Sequence, residues 1–194
     1  MKTSKTTMTE AESWNIIQGM IAEAKQDFQD DGFYYLLWGW LVLAASVSHY
    51  LLLTLTEFAH PYVVWLLMLV GVGATVWRSV KDRKRYVKTY VGTLMQSLWL
   101  AVFVAIMITL VADGTKTGFH IAYPVVLLLY GVGTFVSGNL FRFTPLIIGA
   151  IGIWVLAMVA YFVPFQMQLL LLALSTMIGY IVPGYLLKSQ YRGS

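Results

Sequence analysis

Three histidines, His49, His60 and His120, are the residues in this sequence best suited to chemistry, and the carboxylates Glu57 and Asp113 are expected on the same side of a membrane. Imidazole and carboxylate groups bind zinc, copper or iron, and histidine takes up a proton near neutral pH. The set could therefore hold a metal ion or sense external pH. Its spacing fits no known ligand pattern, and the alternative is that these are ordinary interfacial residues, with His60 capping a helix.

A polar pair, Gln96 and Ser97, lies inside the apolar segment 90–112. Polar groups in hydrocarbon must find hydrogen-bond partners, so two interpretations stay open: bonds between helices, or a polar cavity lined by this pair.

Other chemistry finds little support in the sequence. No Asp, Glu, Lys or Arg falls near the middle of an apolar segment, and there is no cysteine. Ionisable groups at membrane depth are what proton-coupled transport and intramembrane proteolysis require. The H-E-x-x-H, G-x-S-x-G and phosphate-loop patterns are also missing. We expect no catalytic residue and no cofactor.

The elements that position these residues are apolar segments. The chain is 59% hydrophobic and 11% charged, and its mean hydropathy is +0.72, which indicates lipid as the solvent. About 20 residues cross the hydrocarbon core, and six segments reach that length. They are 33–54, 62–80, 90–112, 119–138, 145–164 and 166–187. Gly179 and Pro183 predict a kink in the last of them.

The predicted fold class is an all-α integral membrane protein with six transmembrane helices arranged as three antiparallel hairpins. An amphipathic helix, cytosolic or interfacial, is expected in residues 1–31, the bundle in 32–188 and a cytosolic tail in 189–194. Residues 1–31 show no short apolar core with a cleavage site, so we expect no signal peptide.

The basic residues predict the orientation. Of the 13 Lys and Arg residues, only Lys116 falls in a connection on the outer side when both termini are cytoplasmic. Positive residues near the ends of spans stay in the cytoplasm, so both termini are predicted there.

The N-terminal helix is predicted from a capping box, Thr9 with Glu12, and from apolar residues at helical spacing. These residues, a candidate surface for a protein partner, include Trp14, Ile17, Ile21 and Phe28. Acidic residues dominate its polar face, and a basic cytosolic loop carries Arg83, Lys84 and Arg85. We expect either that helix and loop pair, or that the loop charges only set the orientation.

An internal repeat is a further hypothesis. Trp40, Trp99 and Trp154 start similar apolar runs, and Gly-Val-Gly occurs at both 71–73 and 131–133. The pattern is typical of three helical hairpins from one parent, although apolar segments resemble one another easily.

The stretch Asp31-Gly-Phe-Tyr-Tyr-Leu-Leu-Trp-Gly-Trp40, preceded by the segment from Trp14 to Ile21 and followed by Val182-Pro-Gly-Tyr185, resembles small uncharacterised bacterial inner-membrane proteins. The resemblance covers mainly the first 50 and last 15 residues. It implies a bacterial cytoplasmic membrane and no functional residue.

Three functions compete at this point. The first is a non-enzymatic regulatory, sensing or scaffolding protein that uses its N-terminal helix. The second is a passive channel or carrier for a neutral or hydrophobic solute, and the third a lipid- or quinone-modifying enzyme using His49 or His120. The expected partners are membrane lipids, a cytosolic protein and a second copy of the chain. Nucleic acid is disfavoured because the net charge of +4 comes mainly from one loop.

Overall fold

A computed structural model describes residues 9, 11–16, 18–19, 32–56, 58–82, 90–114 and 119–192. Within these ranges the regular structure is entirely helical, which confirms the all-α class. The helices are α1 (Phe33–Leu55), α2 (Leu67–Asp82), α3 (Tyr90–Gly114), α4 (Ala122–Leu140), α5 (Thr144–Ala160), α6 (Phe165–Thr176) and α7 (Val182–Arg192). A 3₁₀ helix (Pro61–Leu66) leads into α2, and a π-helical turn (Met177–Ile181) joins α6 to α7.

Five of these helical stretches are long and apolar enough to span a membrane. They are Phe33–Leu55, Pro61–Lys81, Gly92–Gly114, Ala122–Leu140 and Phe165–Ser189. The remaining apolar helix, α5, has 17 residues and ends at Ala160, four residues before the predicted end of its segment. Pro164 and the turn before it occupy the difference. A membrane protein is thus supported, while the count of six spans stays a prediction.

The helices pack around the continuous segment formed by α6, the π turn and α7. Helices α1 and α5 pack on both α6 and the π turn, and α4 packs extensively on α5. Helices α2 and α3 lie at the periphery, where their main neighbours are α1 and α4 respectively. Only 6% of the apolar window containing α2 and 11% of that of α3 is buried, against 50% for α4. Most of the core therefore belongs to the other helices, although Met95, Val102 and Ile106 of α3 are also buried in it.

The π turn packs closely against the backbones of α1 and α5. A methyl group at Gly149 of α5 would lie 2.9 Å from the carbonyl oxygen of Ile178 and 3.1 Å from the Cα of Gly179. On the opposite side, a methyl group at Gly39 of α1 would lie 3.1 Å from the Cβ of Tyr180. Glycine at these two positions lets α1 and α5 approach the turn closely.

Proline explains why the helix widens at this point. Pro183 has no backbone N–H, and its ring conflicts with the carbonyl of the residue four positions earlier, which is Gly179. Widening one turn to the π form removes that conflict without ending the helix. The irregularity predicted around Gly179 and Pro183 is therefore a π turn.

The connection between α4 and α5 is a tight backbone motif. The N–H of Phe143 donates to the carbonyl of Gly138 at 2.8 Å, and that of Arg142 donates to Asn139 at 3.2 Å. Arg142 is left-handed, with φ 51°. This is the Schellman arrangement, which stops α4 and returns the chain antiparallel to it.

Tryptophan–glycine contacts bear on the repeat hypothesis. Trp38 of α1 lies against Gly71 of α2, and Trp99 of α3 lies against Gly133 of α4. Trp154 lies against Gly131 of α4, outside its own predicted hairpin. In two of the predicted hairpins a tryptophan of the first helix thus packs against a glycine of the second. In the first hairpin this tryptophan is Trp38, not the expected Trp40. The internal repeat stays a prediction.

The N-terminal capping box is formed. The backbone N–H of Thr9 donates to the Glu12 carboxylate at 2.9 Å, the N–H of Glu12 donates to the Thr9 hydroxyl at 3.4 Å, and residues 11–16 are helical. Trp14 is 57% exposed. The other residues predicted for the N-terminal helix and the basic loop lie outside the described residues. They are Ile17, Ile21, Phe28, Arg83, Lys84 and Arg85. The amphipathic face and its pairing with the basic loop therefore stay predictions.

We expect Gly149→Ala to destabilise the protein by about 1 to 3 kcal/mol, because the new methyl group meets backbone atoms that cannot rotate away. Gly73→Ala is the matched control, since a methyl group there meets nothing within 4 Å. Thermal unfolding in detergent micelles measures both. Equal melting temperatures for the two variants would contradict the close approach of α5 to the π turn.

Candidate functional site

Four aromatic side chains meet at the π turn. The ring of Tyr180 lies 5.8 Å from that of Tyr35, 6.1 Å from that of Trp99 and 5.6 Å from that of Tyr130, measured between centroids. The partners come from α1, α3 and α4. We call these four residues the aromatic cluster. It is the point where the peripheral helix α3 reaches the centre of the bundle.

Hydroxyl groups accompany the rings. The Tyr180 hydroxyl lies near enough to that of Thr134 on α4 to interact with it. Both oxygens are buried, and neither is in hydrogen-bonding geometry with any partner among the described residues. The Tyr35 hydroxyl faces Ser137, which donates to the carbonyl of Gly133 at 2.7 Å. A buried hydroxyl without a partner costs on the order of 1 to 3 kcal/mol. Two such groups side by side form a ready-made hydrogen-bonding site.

The chemistry available to this site is binding. Phenol and alcohol groups donate and accept hydrogen bonds, and aromatic rings offer apolar and π surfaces. Tyr180 and Thr134 could hold a water molecule or the hydroxyl, carbonyl or ether oxygen of a larger neutral molecule. The cluster lacks the carboxylate or imidazole that would turn its hydroxyls into an acid–base system.

Helix α3 forms the outer wall of the aromatic cluster. Trp99 is half-buried, with its ring in contact with Tyr180 on one side and 3.1 Å from a methyl group placed at Gly133. Because α3 packs extensively on α4 alone among the described helices, a small displacement of α3 would connect the cluster to the surrounding lipid.

A second cluster lies at the other end of the helices. Trp65 donates from its indole nitrogen to Nδ1 of His49 at 3.0 Å. The ring of Phe165 has its centroid 5.9 Å from that of His49, 6.2 Å from that of His120 and 5.3 Å from that of Tyr123. Phe165 therefore contacts both histidines from one position.

The predicted metal set is not assembled in the described part of the chain. The ring of His60 pairs with the Tyr62 hydroxyl at 2.9 Å on the surface. Asp113 accepts from the backbone N–H groups of Ile121 and Ala122, at 3.0 and 2.7 Å, and so caps the start of α4. No three His, Asp or Glu side chains of the described residues are grouped to hold a metal ion, and Glu57 lies outside those residues.

The predicted polar pair faces outward. Gln96 and Ser97 are both exposed on α3, so the described residues give no support to a cavity lined by them, and the cavity stays a prediction. The buried polar side chains in the described part of the chain lie on other helices, and they include Ser46, Thr134 and Ser137. Helix α3 is apolar around most of its circumference, and its pattern gave no signal of which side turns inward.

Gln168 is a structural residue that the sequence did not single out. Its side-chain nitrogen donates to the carbonyls of His120 and Ala160, each at 3.0 Å, and of Val163 at 3.3 Å. One amide thereby provides a hydrogen-bond donor to carbonyls at and after the C-terminal end of α5. It also links this end to His120, which precedes α4. The sequence signal was weak, because Gln168 is one of two glutamines near the start of a mainly apolar helix.

No family model, curated protein or solved structure matches the chain. The geometry of the two clusters therefore provides the observations that bear on function.

We expect Gln168→Leu to lower the free energy of unfolding by about 1 to 3 kcal/mol, because it leaves backbone carbonyls unsatisfied in an apolar environment. Gln166→Leu is the control, since Gln166 lies on the same helix and is exposed. Both are compared by thermal unfolding in micelles. A Gln168→Leu protein as stable as the Gln166→Leu protein would rule out this role for the amide.

Proposed function

We propose that this protein is a non-enzymatic sensor in a bacterial cytoplasmic membrane, which binds a neutral amphiphile at the aromatic cluster and signals to a cytosolic protein through its N-terminal helix. The observation that carries the proposal is the pair of buried hydroxyls on Tyr180 and Thr134, which no residue in the described ranges satisfies with a hydrogen bond of good geometry. A fold that needed only packing would be more stable with apolar groups there. A ligand that supplies the missing hydrogen bonds accounts for their presence.

The ligand class follows from the groups at the site. The rings and alcohols of the aromatic cluster are uncharged at neutral pH, which favours a neutral ligand over an ionic one. Aromatic faces suit an apolar body, and Tyr180 with Thr134 suits one oxygen-bearing head group. A lipid-derived alcohol or ester has this combination, and it would enter from the membrane beside α3.

The topology that serves this function has six spans and cytosolic termini. Helix α5 is about 26 Å long at 1.5 Å per residue, which is close to the hydrocarbon thickness. It packs on α6 and extensively on α4, so it would cross the membrane with them. With the N-terminus inside, all Lys and Arg residues except Lys116 lie on the cytoplasmic side.

A contact near the start of α1 offers a route from the site to the N-terminal helix. Gly32 is left-handed, with φ 57°, and a methyl group on it would lie 2.6 Å from the carbonyl oxygen of Gly184. Gly184 follows the π turn that carries Tyr180. A shift of that turn on ligand binding would therefore move the residue that precedes α1.

Tyr180→Phe and Thr134→Val remove the hydroxyls while keeping the shape of the side chains. We expect these variants to melt at the wild-type temperature or above it, because an unpartnered buried group is lost. We also expect them to lose stabilisation by 1-monooleoylglycerol, measured by thermal unfolding in lipid nanodiscs. For the wild type this stabilisation is about 1.4 kcal/mol at ten times Kd.

Tyr185→Phe is the matched control, because Tyr185 is exposed and lies on the adjoining helix α7. It should keep the full ligand effect. Lower stability of Tyr180→Phe without ligand would show that the hydroxyl already has a partner, and an undiminished ligand effect in both site variants would refute the proposed site. Solute flux through protein-containing liposomes that Tyr180→Phe abolishes would favour a passive carrier instead.

The pH response of the N-terminal helix tests its capping box. The backbone N–H of Thr9, and then its hydroxyl, lower the pKa of Glu12 from the ordinary 4.5. Since the folded pKa is depressed, the stabilisation is present above pH 4.5 and is lost as the pH falls through the lowered pKa. We expect the amide NMR signals of residues 11–16 to show fraying below pH 4.5 in the wild type.

Glu12→Gln removes this titration and keeps a side chain that can cap the helix. The same signals should respond less to pH in this variant than in the wild type. An identical pH response in both proteins would mean that other carboxyl groups control the helix.

A further inference from the structure

The outward face of α3 carries a regular stripe. Ser97, Leu100, Val104, Met107 and Val111 follow one another at alternating spacings of three and four residues, and all five are exposed. We call them the outer stripe. This spacing averages 3.5 residues, the period at which two helices wind around each other with a left-handed crossing.

Gln96 lies beside the outer stripe, and it does not suit a surface covered by lipid tails. It is four residues beyond Gly92, where the apolar stretch begins, and so about 6 Å inside that stretch. Its side chain is exposed, and none of the described elements covers it. An amide surrounded by hydrocarbon gains free energy when it finds a hydrogen-bond partner.

Helix α2 provides the internal comparison. It is as peripheral as α3, and residues such as Leu69, Val72 and Val76 are exposed on it. Its polar residue at membrane depth, Thr75, accepts a hydrogen bond from the indole of Trp38 within the chain. The surface that α2 exposes at membrane depth is therefore apolar, as contact with lipid tails requires. The surface of α3 carries the Gln96 amide, with which lipid tails cannot form a hydrogen bond.

We propose that the outer stripe of α3 pairs with the same stripe of a second copy of this chain. Two copies inserted in one orientation are related by a two-fold axis along the membrane normal, so α3 meets α3 in parallel and each stripe residue meets its counterpart. The Gln96 amide contains both donors and an acceptor. Because Gln96 is one residue before Ser97, it flanks the seam, where its donors and acceptor can reach polar groups of the partner helix; lipid tails offer none, which is the argument for a second copy over lipid.

The pairing goes beyond the proposed sensing function and does not depend on a ligand, although it requires that α3 spans the membrane. It has one structural consequence for the site. Trp99, on another face of α3, is the outer wall of the aromatic cluster. A partner helix on the outer stripe would restrain that wall.

Single-cysteine cross-linking tests the interface cleanly because the chain has no cysteine of its own. Leu100→Cys, Val104→Cys and Met107→Cys sample the outer stripe, and Leu69→Cys and Val76→Cys are the exposed controls on α2. Membrane vesicles are oxidised with copper phenanthroline and analysed on non-reducing gels. We expect at least five-fold more disulfide-linked dimer from the stripe positions than from the α2 positions.

The role of the amide is tested in the Leu100→Cys background. Gln96→Leu should reduce the cross-linked dimer at least three-fold, and Gln96→Asn should retain most of it. Equal cross-linking on α2 and α3, no cross-linking on α3, or no effect of Gln96→Leu would each overturn the proposal. Adducts of another mass would identify a different partner for α3 and overturn it as well.

Discussion

Pro183 cannot donate a hydrogen bond to Gly179, and the chain accommodates it by widening one helical turn at Met177–Ile181. The widened turn needs more room than an ordinary helix. Gly39 and Gly149 provide that room, because neither has a side chain to push α1 or α5 away. The close approach of α1 and α5 to the π turn therefore rests on one proline and two glycines. In lipid such close packing matters more than in water, since burial of apolar surface does not drive helices together there.

The same turn explains why polar groups occur inside the bundle. It carries Tyr180 into contact with Tyr35 and Tyr130, whose hydroxyls bring hydrogen-bonding capacity into an apolar interior. Thr134 adds a further hydroxyl without a partner among the described residues. Phenylalanine and valine would fill nearly the same volumes at lower cost, so packing alone does not account for these residue types. The proposed ligand would use these hydroxyls.

Much of the helical framework could be predicted from the sequence, because length, hydropathy and proline positions act locally. The start of α1 at Phe33 and the capping box of Thr9 with Glu12 are examples. The inward faces could not be predicted in the same way. A helix that is apolar all round gives no periodic signal, so Gln96 and Ser97 were weighed as lining a cavity and are exposed instead. The sequence could not decide the metal hypothesis either. Whether His49 and His120 come close depends on tertiary packing, and in the structure the ring of Phe165 contacts both of them.

The two peripheral helices, α2 and α3, are similarly exposed, yet they support different inferences. Helix α2 satisfies its membrane-depth hydroxyl internally through Trp38, and the residues exposed on it at that depth, such as Leu69, Val72 and Val76, are as apolar as the lipid. Helix α3 also contributes an aromatic ring to the centre, yet it keeps Gln96 on its outside. Apolar exposure alone does not separate a lipid-facing helix from one that binds a partner, because both surfaces are hydrophobic. A polar residue such as Gln96, exposed and not covered by any described element, does distinguish the two surfaces, and the proposed pairing of α3 rests on it.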